Sequence, residues 1–228
     1  LDTGHGPSRN IVIQNCVMDS GLGGVTLGSE MAGGIEYVFA EKLEFRNIHW
    51  KNDPLNTAIR LKTNMNRGGF LRHLYVRDVT LPHGVSIEPM LYKPLPGAHE
   101  IKVPVASSAG AIVTIDCDYV PGDDTMRIRP PQVSDIDIRN VRASNVDTGK
   151  GKFSCYQAFM LLGPVASSFN GKPGTPIPPI ARIRISDSDF GTPANGAQPW
   201  FIHNAVDITL DNVTIGSKRY KQVLSTKT

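Results

Sequence analysis

Arg60 and Lys62 stand two positions apart in Ile59-Arg60-Leu61-Lys62-Thr63. On an extended strand, residues at i and i+2 point to the same face, so this spacing sets two cations side by side. Such a pair suits a carboxylate-bearing ligand, the guanidinium as a planar fork and the ammonium as a point charge. The same spacing also describes a solvated strand face with ordinary salt bridges. Other reactive residues are less well placed. Asp123 and Asp124 follow Pro121-Gly122 in a turn sequence rather than forming a carboxylate dyad. His5, in Gly4-His5-Gly6, reads as a solvated turn histidine, with proton transfer as the alternative. Cys16, Cys117 and Cys155 lack Cys-x-x-Cys spacing, so a zinc site is unsupported. They read as structural thiols that could make one disulfide at most.

The segments that would position these residues are short. The 22 glycines and 17 prolines leave little room for long helices, and runs alternating apolar with polar residues lie between the breaks. Six runs overlay, opening at Ile11, Tyr37, Leu74, Ile136, Ile183 and Ile208. Each has an apolar residue two places on: Ile13, Phe39, Val76, Ile138, Ile185 and Leu210. Four places after each opening stands a polar residue: Asn15, Glu41, Asp78, Asn140, Asp187 and Asn212. Asn and Asp suit a corner there, because they tolerate the left-handed conformation and bond nearby backbone. The closest openings, Ile183 and Ile208, lie 25 residues apart, about one coil of a parallel β-helix. The wider spacings imply insertions, the clearest near 82–110 and 163–179. A sandwich or barrel would also give short alternating strands, but has no need of the shared polar corner. The expected architecture is therefore an all-β solenoid, residues 1–228 forming one segment whose long loops border a cleft.

Composition limits the function classes. The chain has 228 residues, 24 Lys+Arg against 21 Asp+Glu, and a formal net charge of +3. At 40% hydrophobic and 20% charged it has the make-up of a globular domain, which excludes a disordered chain. No run of lysines or arginines suggests nucleic-acid binding, and no apolar stretch suggests a membrane span. Leu1 to Pro7 lack the basic and apolar regions of a signal peptide. A weakly basic surface still tolerates an acidic substrate.

Three segments carry a family resemblance: Asn10-Ile-Val-Ile-Gln-Asn-Cys16, the stretch 21–34 containing Gly-Ser-Glu-Met-Ala-Gly-Gly, and Ile59-Arg60-Leu61-Lys62-Thr63. Together they resemble the family 28 glycoside hydrolases, the polygalacturonases, and a weaker likeness continues through 130–141. The resemblance implies a right-handed parallel β-helix that hydrolyses the α-1,4-galacturonan backbone of pectin with inversion. It implies that Arg60 and Lys62 contact the sugar carboxylate next to the scissile bond. Tyr119, at the end of Ile112-Val-Thr-Ile-Asp-Cys-Asp-Tyr119, matches the family's substrate-contacting tyrosine. Tyr92 is its rival, and capping of the core is the alternative role for either. No metal or organic cofactor is implied, since inverting hydrolysis uses carboxyls and water. Pectin being extracellular, the resemblance implies a secreted or periplasmic protein.

The chain also departs from the family. Inverting hydrolysis needs carboxyl groups held roughly 6.5–9.5 Å apart, and the family's Asn-Thr-Asp and Asp-Asp motifs would lie upstream of Leu1. The family's Gly-His-Gly aligns with Gly21-Leu22-Gly23, and leucine cannot carry a proton. Two accounts fit. The chain is a C-terminal part that works with an N-terminal β-helix portion or a second chain, or it is an inactive relative that binds acidic polysaccharide. A structural stem is a third reading, which leaves Arg60 and Lys62 unexplained. Endo versus exo action and the substitution of the pectin stay open.

Overall fold

A computed structural model of the chain describes residues 6–94, 101–119, 127–166 and 177–226. His5, the pair Asp123 and Asp124, and parts of both expected insertions lie outside the described residues. The described chain is all β and winds in coils, each contributing a long strand to one sheet and a short strand to another. The long strands are β1 (Ser8–Met18), β3 (Ile35–Phe45), β5 (Phe70–Leu81), β9 (Gln132–Ala143), β13 (Ile180–Asp189) and β15 (Ala205–Ile215). They stack in parallel in that order, and β16 (Lys218–Thr226) closes the sheet antiparallel to β15. The short strands β2 (Val25–Gly28), β4 (Ile59–Lys62), β8 (Ala111–Asp116), β12 (Gln157–Leu162) and β14 (Trp200–His203) form a five-stranded parallel sheet. This is a parallel β-helix. Small pairs decorate it: β6 (Met90–Leu91) with β7 (Ala106–Ala109), and β10 (Val146–Asp147) with β11 (Lys152–Phe153).

Register follows the inward residues, and here one expectation needs correcting. Ile11 pairs with Val38, and Val38 with Leu74, so Tyr37 is not the opening residue of the second coil. The alternative register would turn the whole strand over. Val38 and Ala40 are buried, whereas Tyr37 and Phe39 point outward and stack on His73 and Tyr75 at centroid distances of 4.7 and 5.1 Å. The smaller pair fills the narrow interior and the aromatic pair packs against its neighbours outside. The aligned inward set is then Ile11, Val38, Leu74, Ile136, Ile183 and Ile208.

The corner four residues on is present in every coil, with Lys42 where Glu41 was expected. Asn15, Lys42, Asp78, Asn140, Asp187 and Asn212 have φ between 48° and 60°. A second bend lies one residue before the inward set, at Asn10, Tyr37, His73, Asp135, Arg182 and Asp207, with φ between 54° and 59°. Each long strand is thus bent twice, into three legs that wrap one part of the coil while the short strand forms another. The corner side chains bond along the axis in two pieces: Asn140 Nδ2 donates to Asp78 Oδ1 at 2.6 Å, and Asn212 Nδ2 to Asp187 Oδ1 at 2.8 Å. Inside, one continuous apolar core joins both sheets. At its C-terminal end Trp200 lies against Phe159 and meets Tyr220 of β16 edge-on, 4.8 Å between centroids, so the antiparallel strand caps the core. At the other end β1 and β2 have a neighbour on one side only among the described residues.

Candidate functional site

The short sheet turns two rows of side chains outward, and their character changes along the axis. One row runs Thr26, Arg60, Thr114, Met160, Phe201, and the other Gly28, Lys62, Asp116, Leu162, His203. The first coils are therefore polar and cationic, and the later ones mainly apolar. On β4 the alternation is clean, Ile59 and Leu61 pointing into the core and Arg60 and Lys62 outward. Gly28 lies against Lys62: a Cβ there would come 2.0 Å from the Lys62 carbonyl oxygen, and its φ is +90°. Only glycine lets the two strands approach so closely beside the lysine.

The chain returns to this place at the end of β8. Tyr119 donates its N–H to the Thr63 carbonyl at 2.9 Å, and Asn64 Nδ2 donates to the Tyr119 carbonyl at 3.0 Å. These bonds hold the phenol ring over both cations, 5.2 Å from Arg60 Cζ and 4.8 Å from Lys62 Nζ to the ring centroid. Cation–π contact at such distances is attractive but weak at half-exposed sites. Arg60 also donates from Nη2 to Ser108 Oγ at 3.0 Å, while its Nε is buried without a hydrogen-bond partner. Neither Arg60 nor Lys62 is in an ion pair among the described residues. Sequence spacing thus found Arg60 and Lys62, and the fold brings Tyr119 onto them. The candidate Leu22 sits in the turn before β2, largely exposed, its N–H donated to Ser20 Oγ at 3.2 Å.

Tyr92 takes a different part. Its hydroxyl donates to Asp118 Oδ2 at 2.5 Å, and Arg127 Nη1 lies 2.8 Å from Asp118 Oδ1. Asp116 accepts from Ser107 Oγ at 2.5 Å and from the Asp118 N–H at 2.9 Å. These bonds fasten the insertion after β5 to the outer face of the short sheet. Beneath it, Val105 and Ala106 pack on Met160, Leu162, Val165 and Phe201 in a second apolar cluster. The insertion therefore forms a wall that covers the apolar rows and leaves the Arg60–Lys62 end open. Burial pushes the Asp118 carboxyl up to about 7, against the pull of Arg127. Burial likewise raises Asp116 and takes the Cys155 thiol to about 12. All three cysteines are free thiols, Cys117 and Cys155 buried and Cys16 half-buried. Tyr92 is named from sequence only as a rival to Tyr119, and nothing marks Ser107 or Ser108, because all three meet the short sheet only after the chain has folded back.

No family model matches the chain. A probable polygalacturonase of Vitis vinifera is 37% identical over 76 residues, which are 33% of this chain and 14% of that protein. The crystal structure of a hyperthermoactive exopolygalacturonase from Thermotoga maritima matches with a TM-score of 0.59 at 19% identity, over 96% of this chain and 38% of that one. The first likeness supports a relationship to the polygalacturonases over one segment, and the second shows the shared β-helix fold. The chain corresponds to well under half the length of either protein.

Proposed function

We propose that the open end of the short sheet binds galacturonan and that the chain serves hydrolysis of its α-1,4 linkages with inversion. The observation that carries this reading is the cation pair. Arg60 and Lys62 project from one strand face with no acidic partner among the described residues, under a phenol ring, where a uronate carboxylate can take a charge-assisted hydrogen bond from each. Tyr119 offers the sugar an apolar face with a polar tip. A secreted or periplasmic setting follows from such a substrate.

The carboxylates beside the pair do not suit the acid and base roles. Asp116 and Asp118 are 2% and 1% exposed, so neither can present a water to a bound sugar. Glu30 is already paired with Arg67. In this reading the catalytic carboxyls come from coils stacked on β1 and β2, in the same polypeptide or another, continuing the polar rows of the sheet. A second reading, binding without cleavage, is favoured by Leu22, which stands exposed where the family resemblance would place a histidine.

Sugar release from de-esterified polygalacturonate, with products identified by mass, tests the proposal. The 228-residue chain alone is expected to bind and not cleave, and to cleave once joined to upstream coils. Sustained release by the chain alone would overturn the assignment of catalysis to other coils. Silence of the joined assembly would favour the binding protein.

A further inference from the structure

Past the Lys62 end of β4, the turns of two successive coils enclose an open groove of about 530 Å³, lined by Arg67, Gly68, Gly69, Phe70, Arg129 and their neighbours. Among the described residues its only charged lining residues are the two arginines. The turns approach closely because two glycines permit it. Gly68 and Gly69 have φ of +65° and +73°, a Cβ on Gly69 would meet the Met31 carbonyl oxygen at 1.9 Å, and one on Gly68 would meet Arg129 Cβ at 3.1 Å. The Arg129 N–H donates to the Met65 carbonyl at 2.8 Å, which fixes that residue beside the turn of the preceding coil.

Along the outer face of the long sheet, Arg72, Arg77, Arg139, Arg182 and Arg184 each sit on a carboxylate. Arg129 is exposed. It has no acidic partner among the described residues, as is also true of Arg9, Arg60, Arg142 and Arg219, but of these Arg129 alone lines the groove. Arg67 has one, and the partner is informative. Glu30 Oε1 lies 3.0 Å from Arg67 Nη2 and accepts from Ser29 Oγ at 2.8 Å, while the Glu30 side chain stays 73% exposed. Its carboxyl is held below the usual range by the Ser29 hydrogen bond and then by Arg67 and Lys62. A carboxylate at this spot therefore feels both Arg67 of the groove and Lys62 of the cation pair, so the two sites are close enough to share a ligand.

We infer that Arg67 and Arg129 form a second carboxylate subsite, so that one acidic chain is held by two of its uronates, the first on Arg60 and Lys62 and the second here. Glu30 occupies the subsite in the free protein and yields Arg67 to the ligand. This inference rests on the reading of Arg60 and Lys62 as a uronate site. Two anchor points on one ligand make binding of the second nearly intramolecular, so affinity grows with chain length once the ligand spans both.

Titration calorimetry of the 228-residue chain with galacturonate oligomers of two to six units, at low salt, tests it. The parent protein is expected to bind longer oligomers more tightly at a stoichiometry of one. Arg129→Gln should lose about fivefold to tenfold affinity for the long oligomers and nothing for the dimer, with Arg129→Lys recovering part of the loss. Glu30→Gln should tighten the long oligomers. Equal affinities of Arg129→Gln and the parent at every length would overturn the subsite while leaving the cation pair standing. Two oligomers per protein, one of them lost in Arg129→Gln, would overturn the single-chain arrangement. No binding by the parent at any length would remove both readings.

Discussion

Arg60 and Lys62 are distinguished by what they lack. The buried Arg127 is matched by Asp118, whereas this pair rests on an aromatic ring and one serine hydroxyl. A charge-assisted hydrogen bond contributes about 1.5–3 kcal/mol. Arg60→Ala or Lys62→Ala should therefore weaken galacturonate-oligomer binding by about tenfold or more, and leave any binding of neutral galactose oligomers unchanged. Calorimetry with both ligand sets checks this, and parity of the variants with the parent would reduce the pair to surface decoration. Asp118 behaves differently, since its carboxyl is raised to about 7 by burial. A carboxyl raised on folding stays protonated in the native state after the unfolded chain has ionised. Its contribution is complete below an unfolded value of about 4 and is lost as pH rises to about 7. Thermal stability should accordingly fall over that window, and Asp118→Asn, which cannot ionise, should flatten this part of the profile. An unchanged slope in Tm between pH 4.5 and 7.5 would show that other groups set it.

Among the elements, β3 tests how register is chosen. Tyr37, Val38, Phe39 and Ala40 are all apolar, so period two cannot say which pair faces inward, and the overlay on aromatic residues erred by one position. Interior width decides, because neighbouring coils supply Leu74 and Val76 at those levels. Val38→Asp should destabilise the fold by several kcal/mol through a buried, unpaired charge. Tyr37→Ser, at a half-exposed ring, should cost about 1 kcal/mol. Urea midpoints separate the two, and the reverse order would restore the aromatic register. Other features were legible for physical reasons. Five of the six corner residues are Asn or Asp at the expected place in register, types that tolerate a left-handed backbone, so the repeat could be read. At the second bend Tyr37, His73 and Arg182 adopt the same conformation beside Asn10, Asp135 and Asp207, so its residue types are too mixed to have been read. The site divides in the same way. Arg60 and Lys62 share a strand and announce themselves by spacing, whereas Ser108, Glu30, Arg67 and Arg129 come from separate coils and meet only through the winding of the chain.

The whole molecule is asymmetric along its axis. One end is sealed by β16 with Tyr220 against Trp200, and the other presents β1 with Val12 and Val17 each about three-fifths exposed. An exposed edge strand of this kind is a template for further strand pairing. Among the described residues it is therefore the edge at which the chain should associate with itself. The insertion wall divides the outer face of the short sheet a second time, into a polar end near β2 and a covered apolar end near β14. The exposed Arg60–Lys62 surface and the β1 edge thus lie towards the same end of the described residues.

That difference between the ends also dictates how the molecule comes apart. Apart from the insertion wall, each coil packs on the coils before and after it, so the fold behaves as a zipper with one free tooth and one clasp. Opening should begin at β1 and travel inward, each released coil exposing the next. Amide hydrogen exchange should then show a staircase of protection, fastest in β1, slower in β3 and β5, and slowest in β9 and β13. Flat protection across the long sheet would mean that the coils open together. If the staircase holds, the cation pair on the second coil sits on one of the first steps to be lost, and anything that clasps the β1 end would steady the binding surface without touching it.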